Sequence, residues 1–345
     1  CYFKHLPIYK YRRYAMSTFK AFRVHNEDGK INSRFEQVSI DQIGTGNVVI
    51  KAAYSNINYK DALAATGAGR IMRRFPLVAG IDTAGYVHSS EDSRFKAGDP
   101  VLVVGRGLGE EHDGGFSEFV KVEGDWIIPL PEGLTLHDAM AIGTAGFTAA
   151  LAIQRMEDNY QTPEKGTILV TGATGGVGGM ATSMLSGAGY DVAALTIDGK
   201  EEYLKSIGAK EVVDANTIEM GERPLEKGLW GGAIDAVGGK TLAWITRTVK
   251  NYGNIASIGL AGGHNLVTTV MPFILRGVNL LGINSTYCAD ELRKKVWLRL
   301  ATDLKPAAMD TIVSRTVGFD DMPDLFQDFV DGKITGRTVV EINKE

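Results

Sequence analysis

The residues best suited to chemistry form a glycine-rich turn after a short apolar run. Gly172, Gly175, Gly176 and Gly178 follow Ile168-Leu169-Val170. Small residues let the main chain approach a diphosphate, and the N–H groups that open the next helix point at it with the helix dipole behind them. A glycine pattern alone is weak evidence, but here a predicted strand precedes it, and a helix and a second strand follow. The turn predicts dinucleotide binding by Gly172, Ala173, Thr174, Gly175, Gly176 and Val177.

The end of the second predicted strand carries the residues that would read the adenosine ribose. An acidic residue there favours NAD, and a cation favours the 2′-phosphate of NADP. The sequence offers Asp198 for the ribose hydroxyls, but also Lys200 and the hydroxyl of Thr196 for a phosphate. A third interpretation is a solvated loop in which Asp198 caps the following helix. These residues alone leave the choice of cofactor open.

From about residue 138 onwards, apolar strand patterns alternate with helix patterns. Such alternation is typical of a parallel, doubly wound sheet, so the sequence predicts an α/β Rossmann domain over residues 138–284. Residues 16–137 contain short strands broken by Gly, Asn and Asp, which indicates an irregular β domain that suits a substrate. The tail, residues 285–345, resembles this first region and is expected to complete it. Residues 1–15 are basic, lack the apolar centre of a signal peptide, and are expected to be a non-native extension.

Composition limits the classes of function. The net charge of −4 argues against a nucleic-acid partner, which needs clustered Lys and Arg. No run reaches the ~18 apolar residues of a membrane span. The two cysteines, Cys1 and Cys288, are too far apart in sequence for a disulfide framework, so a reducing cytoplasm is the expected location. These features predict a cytoplasmic protein that acts on a small molecule.

Several stretches resemble the medium-chain dehydrogenase/reductase superfamily, over residues 18–343. Within it, the chain is similar to the acrylyl-CoA reductase branch, whose members are often labelled quinone oxidoreductases. The stretches that carry the resemblance, in the same order, are Asn58-Tyr59-Lys60-Asp61, residues 75–82, Gly124-Asp125-Trp126, residues 143–149, residues 272–276 and Gly336-Arg337-Thr338. The resemblance implies a Rossmann domain joined to a mostly β, GroES-like catalytic domain.

The residues that hold zinc in the alcohol dehydrogenases of this superfamily are replaced here. Asn58 stands where those enzymes have a cysteine, and Ile81-Asp82 where they have a His-Glu pair. Their structural zinc needs four closely spaced cysteines, and this chain has 2 in all. Without a Lewis acid, the acceptor implied is a carbon–carbon double bond activated by a conjugated carbonyl. Hydride would add to its β-carbon and leave an enolate that needs a hydrogen-bond donor and a proton.

Tyr59 is the predicted donor, since a tyrosine hydroxyl is ordinarily protonated at neutral pH. An orienting role beside the nicotinamide and simple packing in the cleft are the alternatives. Asp61 is expected either to anchor the segment that bears Tyr59 or to cap a helix. Members of the branch use NADPH, so NADPH is favoured over NADH, with Lys200 in place of the usual arginine. The resemblance also implies cofactor contacts from Thr144, Phe147, Tyr203, Arg223, Leu260 and Arg337.

Three arginines, Arg70, Arg73 and Arg74, lie just before Phe75-Pro76. They could meet the phosphates of a CoA thioester that enters the cleft, although most charge runs are solvated. The leading prediction is NADPH-dependent reduction of acrylyl-CoA, or another short 2-enoyl-CoA. A quinone or α,β-unsaturated ketone reductase is the alternative, and a non-catalytic dinucleotide-binding protein is an alternative of another class. Residues 278–283 are typical of an edge strand of the nucleotide sheet, and the resemblance to the superfamily implies that this edge pairs with its mate in a homodimer.

Overall fold

The computed structural model describes residues 18–197 and 199–343. The expectation about residues 1–15 lies outside the described residues, and so does the ribose or capping role predicted for Asp198. Within the described ranges, the strands form one parallel sheet and two sheets in which most neighbours are antiparallel.

The chain up to β8 consists mostly of strands, and from α2 onwards helices and strands alternate more regularly. The strands are β1 Phe19–Glu27, β2 Lys30–Val38, β3 Val48–Ile57, β4 Leu77–Val78, β5 Asp82–Ser90, β6 Pro100–Val104, β7 Phe119–Val122, β8 Ile128–Pro129, β9 Ile168–Thr171, β10 Val192–Thr196, β11 Glu211–Asp214, β12 Trp230–Asp235, β13 Val249–Ser257, β14 Asn279–Gly282, β15 Val313–Gly318 and β16 Arg337–Glu341. The α-helices are α1 Tyr59–Thr66, α2 Leu136–Asp158, α3 Gly176–Gly187, α4 Glu201–Ser206, α5 Gly239–Thr248, α6 Met271–Arg276, α7 Asp290–Leu300, α8 Met309–Ile312 and α9 Phe326–Val330.

The parallel sheet has six strands in the order β11-β10-β9-β12-β13-β14. Strands β9, β10 and β11 extend to one side and β12, β13 and β14 to the other, so the order of the chain reverses between β9 and β12. In doubly wound sheets, the crevice at the carboxyl ends of such a reversal is where ligands bind. The predicted α/β Rossmann fold is confirmed, and the glycine-rich turn after β9 lies at this reversal.

The tail of the chain joins the β-rich region. Strand β16 pairs antiparallel with β3, with Thr338 opposite Ile57, and β15 lies parallel to β16 at the edge of a seven-stranded sheet. A smaller sheet has the order β2-β1-β4. These pairings support the predicted grouping of residues 16–137 with 285–345, apart from 138–284, although the exact boundaries stay a prediction. After β15, a 3-10 helix over Met322–Leu325 leads into α9.

Strand β3 is more buried than its sequence pattern indicates. The alternation of Val48, Ile50, Ala52 and Tyr54 with other residues is typical of a strand with one buried face. Both faces are in fact largely buried, because Ile50 and Ala52 pack in the core of the β-rich region while Ala53 packs in the core that contains α2. The strand therefore lies between two cores, which sequence alternation alone does not reveal.

Helix α2 connects the two parts of the molecule. It contains a break at Gly143, whose φ of 50° and ψ of −158° are not helical. Among the described residues, it is the helix whose length and composition would suffice to cross a membrane, but 83% of its most apolar stretch is buried inside the protein. Such burial is typical of a core helix.

Candidate active site

The glycine turn, residues 172–178, has the geometry that a close approach to a diphosphate requires. Gly172 has a φ of +59°, and its carbonyl accepts a hydrogen bond of 3.0 Å from the N–H of Gly175. A Cβ on Gly178 would lie 2.3 Å from that same carbonyl oxygen, so a side chain there is excluded. Helix α3 begins at Gly176, and the first N–H groups of a helix have no partner within the helix. The turn therefore presents free N–H groups at the crevice of the sheet.

The remaining turn residues are placed differently. Ala173 is fully buried, so it can meet a ligand through its main chain only. Val177 is half-buried and packs against the main core. The carbonyl of Thr174 accepts a hydrogen bond of 2.9 Å from the N–H of Gly336, just before β16. This bond ties the turn to the β-rich region.

The residues after β10 also face the segment before β16. Thr196 is buried at the end of the strand. The ammonium group of Lys200 contacts the hydroxyl of Thr335. The hydroxyl of Tyr203 is buried without a hydrogen-bond partner among the described residues, and it lies 3.3 Å from where a Cβ on Gly179 would be. Burial raises the pKa of Tyr203 to about 12. Tyr203 thus packs against α3, behind the glycine turn.

Tyr59 is the first residue of α1, and 51% of it is exposed. Asn58, directly before it, is the N-cap residue of this helix, and Asp61 at the third position completes a capping box with it. Asp61 is buried in the first turn, where it accepts hydrogen bonds from the N–H of Asn58 at 2.8 Å and of Ile81 at 2.9 Å. Burial raises the pKa of Asp61 to about 7, against the effect of these hydrogen bonds. Asp61 therefore holds the start of α1 against the segment before β5.

A buried set of polar side chains, which we call the cleft network, lies beside this helix. Its central carboxylate, Asp82, accepts from Asn56 at 2.9 Å and from Asn58 at 3.0 Å. Asp82 also accepts from the backbone N–H of Thr144 at 2.8 Å and from the Thr144 hydroxyl. The guanidinium of Arg337 donates to Asn58 at 3.1 Å. The members of the cleft network are Asn56, Asn58, Asp61, Asp82, Thr144 and Arg337.

Arg337 connects the cleft network to the glycine turn. It is 3% exposed, and its Nε donates to the carbonyl of Ala141 at 2.9 Å. A Cβ on Gly176 would lie 3.1 Å from Cδ and 3.2 Å from Nη1 of Arg337. Its Nη2 is buried without a partner in the described part of the chain. Because a buried, unpartnered donor is costly, this nitrogen suits an acceptor group of a bound ligand.

Sequence reasoning named three of the six members of this network, Asp61, Thr144 and Arg337, but did not predict that they lie together. It noted Asn58 and Asp82 as replacements for zinc ligands but gave them no role, and it did not single out Asn56. The available signal was the type of residue: amide and carboxyl groups that each adjoin an isoleucine, Ile57 or Ile81. Within residues 18–197 and 199–343, no group of three or more His, Cys, Asp or Glu side chains could hold a metal ion.

Two predicted cofactor contacts are wrong. Phe147 is fully buried, with its ring 6.1 Å from that of Trp297 and 4.8 Å from the Arg293 guanidinium, so it has no surface for a ligand. Arg223 has a side chain that is 75% exposed and paired with Glu226 at 2.6 Å. The N–H of Glu226 bonds the last turn of α5 before β13, at the amino edge of the sheet. Arg223 therefore lies at the edge opposite the glycine turn.

Leu260, by contrast, lies on the predicted side of the sheet. It follows β13 at the carboxyl edge and is 67% exposed. The Cα of Leu260 lies 3.2 Å from where a Cβ on Gly238 would be. Its side chain can reach a ligand in the crevice.

The three arginines before Phe75 are partly neutralised. Arg73 pairs with Glu111 at 2.7 Å, and Arg74 pairs with Asp113 at 2.9 Å. Arg70 is exposed. Lys60 pairs with Glu110 at 3.0 Å, so its ammonium group is already engaged. The charge that these side chains offer to a phosphate is smaller than the sequence suggests.

A doubly wound sheet with a glycine turn at its reversal, joined to a β-rich domain that buries a polar cleft, defines a nucleotide-dependent dehydrogenase or reductase. Comparison with known families agrees. Residues 44–132 match the alcohol dehydrogenase GroES-like domain, and residues 176–301 match the domain described as zinc-binding dehydrogenase. The chain belongs to the medium-chain dehydrogenase/reductase superfamily.

Individual relatives place the chain in one branch. It is 47% identical to a protein of Bacillus subtilis (strain 168), "Putative quinone oxidoreductase YhfP", over 95% of this chain and 100% of that protein. It is 45% identical to "Acrylyl-CoA reductase AcuI" of Ruegeria pomeroyi, over 92% of this chain and 96% of the relative. The crystal structure of the YhdH oxidoreductase from Salmonella enterica, in complex with NADP, superposes with a TM-score of 0.91 at 43% identity, over 94% of this chain and 100% of that one.

Proposed function

We propose that the chain is an NADPH-dependent reductase of an activated carbon–carbon double bond, converting acrylyl-CoA or another short 2-enoyl-CoA to the saturated thioester without zinc. The observation that carries this proposal is the cleft network, because the amide of Asn58 and the carboxylate of Asp82, both engaged in hydrogen bonds, stand in place of zinc ligands of other members of the superfamily. The similarity to an acrylyl-CoA reductase supports the choice of substrate.

The residues around the glycine turn fit a dinucleotide. The turn offers main-chain N–H groups for the diphosphate, and the side chain of Arg337 lies against it at Gly176. Thr144 has its N–H, its hydroxyl hydrogen and its carbonyl bonded within the protein, so it would meet the cofactor by packing and through a hydroxyl lone pair. When bound, NADPH supplies the hydride.

Tyr59 is proposed to assist the substrate. It stands half-exposed at the start of α1, so its hydroxyl can donate to the thioester oxygen and stabilise the enolate. Asp61 holds the helix start through its bonds to Asn58 and Ile81 and keeps Tyr59 in place. Burial of the surrounding side chains limits the access of water to this wall of the cleft.

The decisive measurement is steady-state consumption of NADPH by the full chain. Turnover with acrylyl-CoA that exceeds turnover with benzoquinone supports the proposal. The opposite order supports the alternative, an NADPH:quinone or α,β-unsaturated ketone reductase, which shares every residue argued above. Tight NADPH binding without turnover on either acceptor would support a non-catalytic dinucleotide-binding protein and contradict the proposal.

Lys200 is proposed to recognise the 2′-phosphate and so to favour NADPH over NADH. Related structures hold either form, since the Salmonella relative was solved with NADP and the Bacillus relative YhfP with NAD. Lys200→Ala should raise the KM for NADPH by about tenfold and leave the KM for NADH unchanged, because the loss of one partly exposed charge–phosphate contact is worth ~1.4 kcal/mol. Lys205→Ala, on the exposed side of α4, is the matched control.

The CoA site is proposed to use Arg70 more than its neighbours, because Arg73 and Arg74 are already paired with Glu111 and Asp113. Arg70→Ala should raise the KM for the CoA ester and leave that for a quinone unchanged. An unmoved KM in a variant that lacks all three arginines would exclude this role.

A homodimer is proposed on the edge of the nucleotide sheet. Strand β14 ends the sheet, so one side of it lacks a strand partner within the described chain. Exposed apolar side chains lie on β14 and the segment before it, namely Val267, Val270, Ile274, Leu275 and Leu280. A second copy would cover both features. A monomeric mass by light scattering would contradict this proposal.

A cytoplasmic location is likewise proposed.

A further inference from the structure

Asp82 joins separate segments of the cleft. It is fully buried at the first position of β5. Its Oδ2 accepts hydrogen bonds from Nδ2 of Asn56, Nδ2 of Asn58 and the backbone N–H of Thr144, at 2.9, 3.0 and 2.8 Å. Its Oδ1 accepts from the Thr144 hydroxyl. Hydrogen bonds to a charged acceptor are roughly twice as strong as neutral ones, so this carboxylate fixes two segments, at Thr144 and at residues 56–58, relative to the start of β5.

The first of these segments is the break in α2. Gly143 has a φ of 50° and a ψ of −158°, which only glycine adopts readily, and the helix restarts after it. Thr144, the first residue after the break, uses both its N–H and its hydroxyl hydrogen on Asp82. Its carbonyl accepts from Thr148 at 2.6 Å, within the restarted helix. Asp82 therefore sets where the second part of α2 begins.

The second segment carries Tyr59. Asn58, directly before it, donates from Nδ2 to Asp82 and accepts at Oδ1 from Arg337. Its backbone N–H donates to Asp61. The residue before Tyr59 is thus held on three sides, while Tyr59 itself is half-exposed. Any shift of Asp82 moves the point from which the Tyr59 side chain projects.

Arg337 links Asn58 to the glycine turn. Arg337 bonds Asn58 with one nitrogen and the carbonyl of Ala141 with another, and its side chain lies against Gly176. A Cβ on Gly143 would lie 2.5 Å from Asn56 Nδ2 and 2.8 Å from both Arg337 Nη2 and Asp82 Oδ2. The break in α2, the start of α1 and the glycine turn therefore meet within one packed volume.

We propose that Asp82 is the positioning residue of the reductase: it holds Tyr59 and Thr144 in one fixed arrangement relative to the glycine turn, without touching the substrate. The inference deepens the proposed function and depends on it for its kinetic part. Asp82 has no exposed surface, so its influence passes through Asn58 and Thr144. Misplacement of reacting groups by about 1 Å is enough to reduce turnover by about 100-fold.

The test compares Asp82→Ala and Asp82→Asn with Asn254→Ala. The alanine removes the acceptor of four hydrogen bonds, one from Asn56, one from Asn58 and two from Thr144. The asparagine keeps most contacts, because its amide oxygen can accept from Asn56, Asn58 and Thr144 while its NH2 donates to the Thr144 hydroxyl oxygen. Asn254 is equally buried and belongs to a separate amide cluster with Gln161, at the amino edge of the nucleotide sheet. It is the control for the general cost of breaking a buried polar network.

We expect Asp82→Ala to lower kcat by about 100-fold and Asp82→Asn by about tenfold, with the KM for NADPH changed less than about threefold in both. Asn254→Ala should lower Tm and keep kcat when each enzyme is assayed the same interval below its Tm. Hydrogen–deuterium exchange of the NADPH-free protein is the second measurement. Exchange should rise in residues 56–63 and 141–148 together in both Asp82 variants, and in neither segment in Asn254→Ala.

Two results would overturn the inference. One is an equal loss of kcat in Asp82→Ala and Asn254→Ala. The other is a wild-type kcat and wild-type exchange in Asp82→Asn. This second result overturns the inference even if Asp82→Ala does not fold. A wild-type protein without turnover on acrylyl-CoA or benzoquinone would contradict the proposed function instead, and the exchange pattern would still test the positioning role.

Discussion

Two buried polar networks lie near the two ends of the unbroken part of α2, and they differ in kind. The cleft network contains two carboxylates and a guanidinium, and it leaves Arg337 Nη2 without a partner. The network at the other end, which we call the amino-edge network, consists of the amides Asn159, Gln161 and Asn254 at the amino edge of the nucleotide sheet. None of these three amides has a buried side-chain atom without a partner among the described residues.

This difference separates a site from a structural cluster. A closed network of neutral amides satisfies its own hydrogen bonds and adds rigidity. A network that keeps buried charges and an unpartnered donor costs stability, and such costs are retained where a ligand uses them. The cleft network also lies against Gly143, a backbone conformation that requires glycine. The comparison thus predicts that damage to the cleft network affects chemistry, whereas damage to the amino-edge network affects folding alone.

The largest difference should come from adding one methyl group to each network. Gly143→Ala would place a Cβ 2.5 Å from Asn56 Nδ2 and force an unfavourable φ. Gly232→Ala would place a Cβ 2.9 Å from Gln161 Oε1 in the amino-edge network. Both should lower Tm. Gly143→Ala should also reduce kcat by about 100-fold or more, whereas Gly232→Ala should keep kcat well below its Tm. Similar kcat losses in the two variants would remove the distinction.

Phe147 tests whether the middle of α2 belongs to the site or to the core. Its buried ring packs on Trp297 and Arg293. Phe147→Leu should therefore cost about 1–2 kcal/mol in the free energy of unfolding, as a core substitution that leaves a small cavity does. The dissociation constant for NADPH, measured by fluorescence, should stay the same. A clear rise in that constant at unchanged stability would return Phe147 to the cofactor site.

The glycine turn and the Rossmann sheet were predictable because their signals are local. Strand, turn and helix follow one another directly around Gly172, and further strands and helices follow as far as β14. The cleft network was not predictable in this way, because its members come from distant segments: Asn58 and Arg337 are 279 positions apart. Which polar residue faces which is decided by tertiary packing. The predicted cofactor contacts of Phe147 and Arg223 failed for a related reason. A family resemblance identifies a position in the sequence, but it does not tell whether the side chain is buried or at which edge of the sheet it lies.

The third prediction concerns charge, which only the cleft network contains. Burial raises the pKa of Asp61 from 3.8 to about 7. Between about pH 4 and 7 the folded state then holds a proton that the unfolded state has lost, so the free energy of unfolding falls as the pH rises through this window. Wild-type protein should lose stability relative to Asp61→Asn across the window, with a constant difference above about pH 8. Urea denaturation at a series of pH values measures this, and Asn254→Ala should follow the wild-type slope. Parallel curves for wild type and Asp61→Asn would contradict the assignment.

The smallest effect is expected at the amino edge. Arg223→Ala removes an exposed side chain whose partner is Glu226, on the edge opposite the glycine turn. Exposed ion pairs contribute little to stability, so Tm and the KM for NADPH should both match the wild type. Leu260→Ala, at the carboxyl edge, gives the contrast, since loss of its exposed side chain should raise that KM. An equal rise in the KM for NADPH in Arg223→Ala and Leu260→Ala would contradict this assignment. It would mean that the nucleotide contacts both edges of the sheet, although the whole length of β12 separates them. The two variants together therefore decide whether cofactor binding is confined to the edge where the cleft network lies.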